Sequence, residues 1–264
     1  MMSSFWSKLV PNDDAELAGF RFGDKGTHTS LTIMLSELTE LMGVLTANAS
    51  REDYAAAIID ENMLGKQTAS TRKAYNQRMG ELYALDVKIP IFRILRRLWG
   101  IDENGRPLLA MLCALARDPL LRATAPSVIS LNIGDELIRH TYLKEIKSST
   151  GDRLNDSSID KVARNTGSSW TQSGHLDGRV RKIRNHVQPT ACAVAFALWM
   201  GSLFGFSGDE LLSTPWMKLL DCDRDDLLEY TLHAKRLRLL EARIGGGVVE
   251  IDTACIDPDT EVPR

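Results

Sequence analysis

The chain is poor in residues that hold disulfides, metals or cofactors. Its 264 residues include four cysteines, Cys113, Cys192, Cys222 and Cys255, and no two form a Cys-x-x-Cys pair. That spacing argues against a disulfide frame and a zinc site, and predicts buried, reduced thiols in a cytoplasmic protein. The five histidines, at 28, 140, 175, 186 and 233, are dispersed, and no His-Glu-x-x-His pair exists. Lys66 follows Gly65, but Gln67 stands where a phosphate loop needs Ser or Thr, and Asp60 where it needs its first Gly. No catalytic residue, metal ligand or cofactor is expected.

An uninterrupted membrane-length apolar run is also missing. Residues 187–208 carry no charge, but Gln188, Pro189, Gly201, Ser202, Gly205, Ser207 and Gly208 cut into them. The strongly apolar part is about 14 residues, short of the ~20 that a spanning helix needs. It predicts a helix buried in a core and no membrane insertion. No basic stretch followed by an apolar run opens the chain, so no signal peptide is expected. Aromatics are few, at 6%, yet hydrophobic residues make up 44%, ample for a real core and unlike a disordered chain.

Net charge is also small, at −3. A total of that size suggests no polyanionic partner, but the distribution does. Between Lys66 and Arg97 there are eight Lys or Arg (66, 72, 73, 78, 88, 93, 96, 97) against Glu81 and Asp86. Between Asp160 and Thr190 there are six (161, 164, 179, 181, 182, 184) against Asp160 and Asp177. Local positive fields of this kind bind phosphate whatever the total is.

Periodicity predicts a mainly α fold: a helical bundle with helix-turn-helix or winged-helix elements and one or two small β-hairpins. Residues 1–27, with Pro11, Gly19, Gly23 and Gly26, read as an extended lead-in. Helices are expected over 30–45, from Ser50 with Asp53 as its cap to near Gly65, from Ser70 to about 85, and from Pro90 to 99. Others follow at 106–117, 120–130, 134–147 and 157–172. Ser148-Ser149-Thr150-Gly151-Asp152 reads as a linker, dividing a domain at 1–147 from one at 153–264. Asp177-Gly178 predicts a tight hairpin turn, with His175 and His186 on the hairpin surface. Past the apolar helix, Ser207-Gly208-Asp209-Glu210 reads as a capping box, a helix is expected from about Asp223 to Leu240, and a second hairpin at 244–251.

Two constellations carry a functional reading. At 50–85, two helices flank a short turn, and the second opens with Ser70-Thr71-Arg72-Lys73. Hydroxyl and basic side chains at such a start reach phosphate or base edges. Lys66, Ser70, Thr71, Arg72, Lys73 and Arg78 are the candidates there. At 157–187, a helix followed by a hairpin bearing Arg179, Arg181, Lys182 and Arg184 has the layout of a winged helix. The bland alternatives are a helical hairpin with a solvated basic face and a charge-protected edge hairpin. A third stretch, 207–252, has an acidic first helix and reads as structural or as a protein contact.

Glu61-Asn62-Met63-Leu64, Lys66, Thr68 and Ser70-Thr71-Arg72-Lys73, after a helix containing Tyr54-Ala55-Ala56, resemble the BrxA family of BREX phage-defence systems. That family carries an acidic-Asn-Leu-Leu turn, a Lys-x-Thr and a Ser/Thr-Arg-Lys helix start. The likeness is greatest over about 30–85, and Met63 and Gly65 depart from the pattern. The resemblance implies a non-enzymatic, all-helical protein with a core similar to an antitermination-factor bundle. It implies double-stranded DNA as ligand, other defence-system proteins as partners, and a role as a DNA-binding accessory of antiviral defence. A protein–protein adaptor and an RNA-binding antitermination-like protein are the alternatives.

Overall fold

A computed structural model describes residues 9–259. The chain is mainly helical, with two small antiparallel hairpins. In the N-terminal half lie α1 (Asp13–Ala18), α2 (Leu35–Val44), α3 (Arg51–Ile59), α4 (Ala69–Tyr83), α5 (Pro90–Ile101), α6 (Arg106–Arg117), α7 (Pro119–Ala123) and α8 (Ala125–Ile129). There follow α9 (Arg139–Thr150), α10 (Asp156–Gln172), β1 (Leu176–Asp177) and β2 (Ile183–Arg184). The remainder is α11 (Ala191–Ser202), α12 (Pro215–Lys218), α13 (Arg224–Arg236), β3 (Glu241–Gly245) and β4 (Val248–Asp252).

Local chemistry sets most boundaries. Ser50 and Asp53 form the expected reciprocal capping box at α3. Pro90 occupies the first turn of α5, where its missing N–H costs nothing. Two helices are apolar on every side and form the centre. In α6, every residue from Leu108 to Arg117 is buried, and in α11 every residue from Ala191 to Gly201 is. They pack on each other, with α4, α5 and α7 around α6 and α5, α12 and α13 around α11. At ~1.5 Å per residue, α11 is roughly 18 Å long, well under a ~30 Å hydrocarbon layer. No described helix is long and apolar enough to cross a membrane.

Several expectations are corrected. The lead-in contains α1, because the Asn12 side chain accepts from Ala15 N–H and Gly19, at φ 101°, closes the helix. Helix α2 starts at Leu35, five residues later than expected. The donors that would begin it sooner are taken by α10: Ile33 N–H donates to Ser169 Oγ, and Leu35 N–H to Gln172 Oε1. Helix α3 ends at Ile59, and Thr68 rather than Ser70 caps α4. The expected 120–130 helix breaks at Thr124 into α7 and α8. Residues 148–150, read as linker, complete α9, and a 3-10 turn at Gly151–Arg153 leads into α10. Helices α9 and α10 pack together across that point. Ser207 makes no side-chain cap, and a 3-10 stretch, Gly208–Ser213, follows it.

The first hairpin also differs. Asp177 is a strand residue paired with Ile183, and the connection is the five-residue loop 178–182. A third extended segment joins it. Gly134 N–H donates to the Arg184 carbonyl, Arg184 N–H to the Asp135 carbonyl and Leu137 N–H to the Lys182 carbonyl, each at 2.8 Å. The stretch expected to begin a helix at 134 is therefore extended and lies antiparallel to β2. Order along the chain is extended segment, α9, turn, α10, then hairpin.

Candidate nucleic-acid interface

The first basic stretch is mostly turned inward. Lys66 Nζ donates to Glu37 Oε1 at 3.0 Å and sits 4.1 Å above the Tyr75 ring. Burial opposes its charge most strongly, but the Glu37 bond, the Glu37 charge and Tyr75 together outweigh it and raise the Lys66 pKa. Burial raises the Glu37 pKa, but Lys66, its backbone hydrogen bond and Ser36 together hold it below the usual carboxylate value. Arg72 Nη1 donates to the Ile59 carbonyl at 2.7 Å, where α3 leaves acceptors unpaired. Arg78 pairs with Glu81 at 2.8 Å. Thr68 Oγ1 lies 2.9 Å from Ser70 Oγ and 2.8 Å from Thr71 Oγ1, so both candidate hydroxyls belong to the cap.

The rest of that stretch is scaffold too. Arg93 grips Asp257 through two bonds of 2.7 and 2.6 Å. Arg96 donates to the Met42 and Leu45 carbonyls, and Arg97 to those of Cys255 and Ile256. Of the eight cations counted from the sequence, Lys73 and Lys88 are exposed without an ion-pair partner among the described residues.

The second stretch divides differently. Arg184 is 2% exposed and belongs to the core, where it pairs with Asp221 and donates to the His175 carbonyl. Its assignment to a nucleic-acid contact is corrected: a buried guanidinium cannot reach a ligand. Arg181 is 75% exposed and grips Glu136 at 3.0 and 2.7 Å, a bond that raises its pKa. Lys182 Nζ donates to Thr171 Oγ1 at 2.8 Å and to the Gly178 carbonyl at 3.2 Å, and burial lowers its pKa. Arg179 is exposed, with no partner among the described residues.

Helix α10 supplies two residues that were counted from the sequence but not assigned to the site. Its inner face buries Ile159, Val162, Ala163, Thr166 and Trp170. Its outer face carries Ser157, Lys161, Arg164, Ser168 and Thr171, at successive spacings of three and four. That spacing is the signal that would have found Lys161 and Arg164. Lys161 is unpaired among the described residues, and Arg164 shares Asp160 with Arg139. The Lys182 bond to Thr171 joins the hairpin to this stripe.

Internal polar bonds fix the stripe. Trp170 Nε1–H donates to Thr124 Oγ1 at 2.9 Å, and Tyr142 O–H to Thr166 Oγ1 at 2.7 Å. His28 Nδ1 donates to Asp118 Oδ2 at 2.9 Å, and its Nε2 lies 2.9 Å from Ser169 Oγ. This Asp–His–Ser line has the sequence of contacts of a nucleophile relay. All three are within 1% of full burial, Ser169 Oγ accepts the Ile33 N–H, and none lines the clefts bounded by Phe22, Arg122 and Arg153 or by Trp199, Phe206 and Asp257. It is a structural clamp between α10, α7 and the segment before α2. A Cβ at Gly26 would fall 2.3 Å from Asp118 Oδ1, so that approach requires glycine.

His175, expected on the surface, is fully buried. Its Nε2 donates to the Leu219 carbonyl at 2.8 Å, and its Nδ1 accepts from the Ser173 hydroxyl at 2.9 Å. Burial lowers its pKa to about 4. His186 is exposed, as expected. Cys113 and Cys192 are buried, and burial pushes both thiols up to about 12, but Cys222 and Cys255 are only half-buried. No group of three or more His, Cys, Asp or Glu among the described residues could hold a metal ion.

In the third stretch, Asp225, Asp226 and Glu229 are exposed on α13, and Arg243 pairs with Glu250 across the second hairpin. Its surface is thus mixed: the acids lead α13, and Arg236 and Arg238 are exposed at its end. Compared with known proteins, the chain matches no family model and no curated protein.

Proposed function

We propose that this chain binds double-stranded DNA through residues 131–187, as a winged helix. An extended segment, two helices joined by a turn, and a hairpin whose second strand lies between its first strand and that segment follow in the order that fold uses. Helix α10 is its recognition helix, and the loop 178–182 its wing. One observation carries the reading: the water-facing stripe of α10 runs to the wing, and with Arg184 set aside in the core, five basic residues (161, 164, 179, 181 and 182) meet one acid, Asp177. Exposed Lys73 on α4 offers a secondary phosphate contact. The resemblance at 61–73 supports a cytoplasmic, non-enzymatic role as an accessory of a BREX-like phage-defence system, alongside other defence proteins. The exposed acids of α13, beside partly exposed Leu232, Leu237 and Val248, favour a protein contact at the other end of the chain.

Binding of duplex DNA, duplex RNA and single strands across a salt series tests this. If Lys161, Arg164, Arg179, Arg181 and, on α9, the exposed Lys144 neutralise about five phosphates, log affinity for duplex DNA falls against log salt with a slope of about −4 to −5. A flat profile, or no binding at micromolar protein, overturns the proposal in favour of an adaptor. Preference for duplex RNA turns it to the antitermination-like reading.

A further inference from the structure

The wing contains two residues that hold nothing together. Its feet are pinned on each side. Arg184 is anchored on Asp221 in the core, Arg181 on Glu136, and Lys182 on Thr171 and on the Gly178 carbonyl. Gly178 has φ 93°, and a Cβ there would fall 2.1 Å from the Arg181 carbonyl oxygen, so the loop closes too tightly for any other residue. Arg179 and Val180 are what remains at the tip. Val180 is 91% exposed, more than any other large hydrophobic residue in the described chain. A β-branched side chain in that position contributes nothing to packing, and Arg179 has no internal acceptor.

We propose that Arg179 and Val180 form a minor-groove probe, and that the preferred ligand is duplex DNA with an A·T-rich centre containing TpA steps. This rests on the DNA-binding reading and specifies which groove and which sequence class the wing takes. A two-residue tip fits a minor groove about 6 Å wide, whereas a helix does not. A·T-rich segments narrow that groove and deepen its negative potential, which attracts an inserted guanidinium. TpA steps unstack easily, and an apolar side chain presented beside the guanidinium wedges between such steps. Val is stiff at χ1, so little side-chain freedom is lost on insertion. The pinned feet deliver the tip already formed.

The test uses the full chain and three duplexes of equal length: an A·T-rich centre with TpA steps, a G·C-rich centre, and the same G·C centre with inosine in place of guanosine. Inosine removes the minor-groove amino group and leaves the major-groove acceptors in place. Affinity is read by fluorescence anisotropy. The wild-type chain is expected to prefer the A·T centre over G·C by about tenfold, with the inosine duplex close to the A·T one. Val180→Ser is expected to cut that preference to about twofold at an unchanged salt slope, because no charge is removed. Arg179→Ala is expected to remove the preference and to make the slope shallower by about 0.9. Equal wild-type affinity for all three duplexes, or a full preference retained by Val180→Ser, overturns the probe and leaves the DNA-binding reading standing. No binding to any duplex overturns both. Both substitutions sit at an exposed tip, and thermal unfolding of each variant checks that the fold is intact.

Discussion

The α3–α4 pair and the α9–α10 pair with its hairpin both carry a basic excess, and they orient it in opposite ways. In the first, Lys66 closes on Glu37 and Tyr75, Arg72 on the end of α3, and Arg78 on Glu81. The cations act as caps and struts. In the second, Arg184 is a strut, but Lys161 and Arg179 face water and Arg181 is three-quarters exposed. A charge count treats the two alike. What separates them is the supply of acceptors: helix ends leave carbonyls unpaired, and a nearby guanidinium takes them. A cation is free for a ligand only where such acceptors are already satisfied.

The largest expected effect tests the strut. Arg184→Ala leaves the mostly buried Asp221 with only the Val187 N–H, and one-sided removal from a buried pair costs about 3–5 kcal/mol. Urea unfolding should show a loss of that size. Arg179→Ala, a few residues away, should leave the midpoint nearly unchanged. Similar losses for both would mean the hairpin is not divided into core and tip.

Next comes the pH range in which each region weakens. His175 titrates at about 4 in the folded chain, against an ordinary value near 6.5. Its folded pKa is depressed, so the unfolded chain takes up the proton first as pH falls. Stability is therefore full above pH 6.5, declines between 6.5 and 4, and below that is lower by on the order of 3 kcal/mol. Glu37 and Glu81 in the first region are depressed carboxylates, so their contributions persist until the pH falls below the usual carboxylate value. Hydrogen exchange at pH 5 should then show amides around β1 and the end of α10 opening more than those of α3. Equal loosening of both regions would sink the assignment.

How much of this was legible in the sequence follows the same division. Short-range chemistry was readable: the Ser50–Asp53 box, Pro90 at a helix start, the buried α11, and the presence of both hairpins, though not the turn of the first. The inward turn of Arg72, Arg96 and Arg97 was not, because their acceptors are backbone carbonyls 13 to 159 residues away. His175 was misjudged for a related reason: the Leu219 carbonyl that receives its proton lies 44 residues further on. The recognition stripe was half legible. The hairpin charges drew attention, while Lys161 and Arg164 were diluted among serines and threonines.

A third effect concerns binding. Lys161→Ala with Arg164→Ala should weaken duplex affinity by about tenfold or more at moderate salt and make the salt slope shallower by nearly 2. Lys66→Ala with Arg72→Ala removes as much formal charge but breaks the Glu37 bond and the α3 cap. It should lower stability and leave the salt slope nearly unchanged. The reverse pattern would return the DNA contact to α4.

The smallest effect is the sharpest comparison, since it adds affinity instead of removing it. Glu136 holds Arg181 at the foot of the wing, and Glu37 holds Lys66 over the Tyr75 ring. Replacing either acid with Gln deletes one negative charge and releases one cation. Arg181 is 75% exposed, and its released guanidinium stays beside the wing, where duplex phosphates would lie. Lys66 is 21% exposed and remains against the Tyr75 ring. If the wing side faces DNA, Glu136→Gln should tighten duplex binding by about two- to fivefold at low salt and steepen the slope slightly. Glu37→Gln should leave both unchanged within error. Gains from both substitutions would mean that net charge alone governs binding. A gain from Glu37→Gln only would place the contact on α4. Either result would end the distinction between a region whose cations hold the fold and one whose cations meet the ligand.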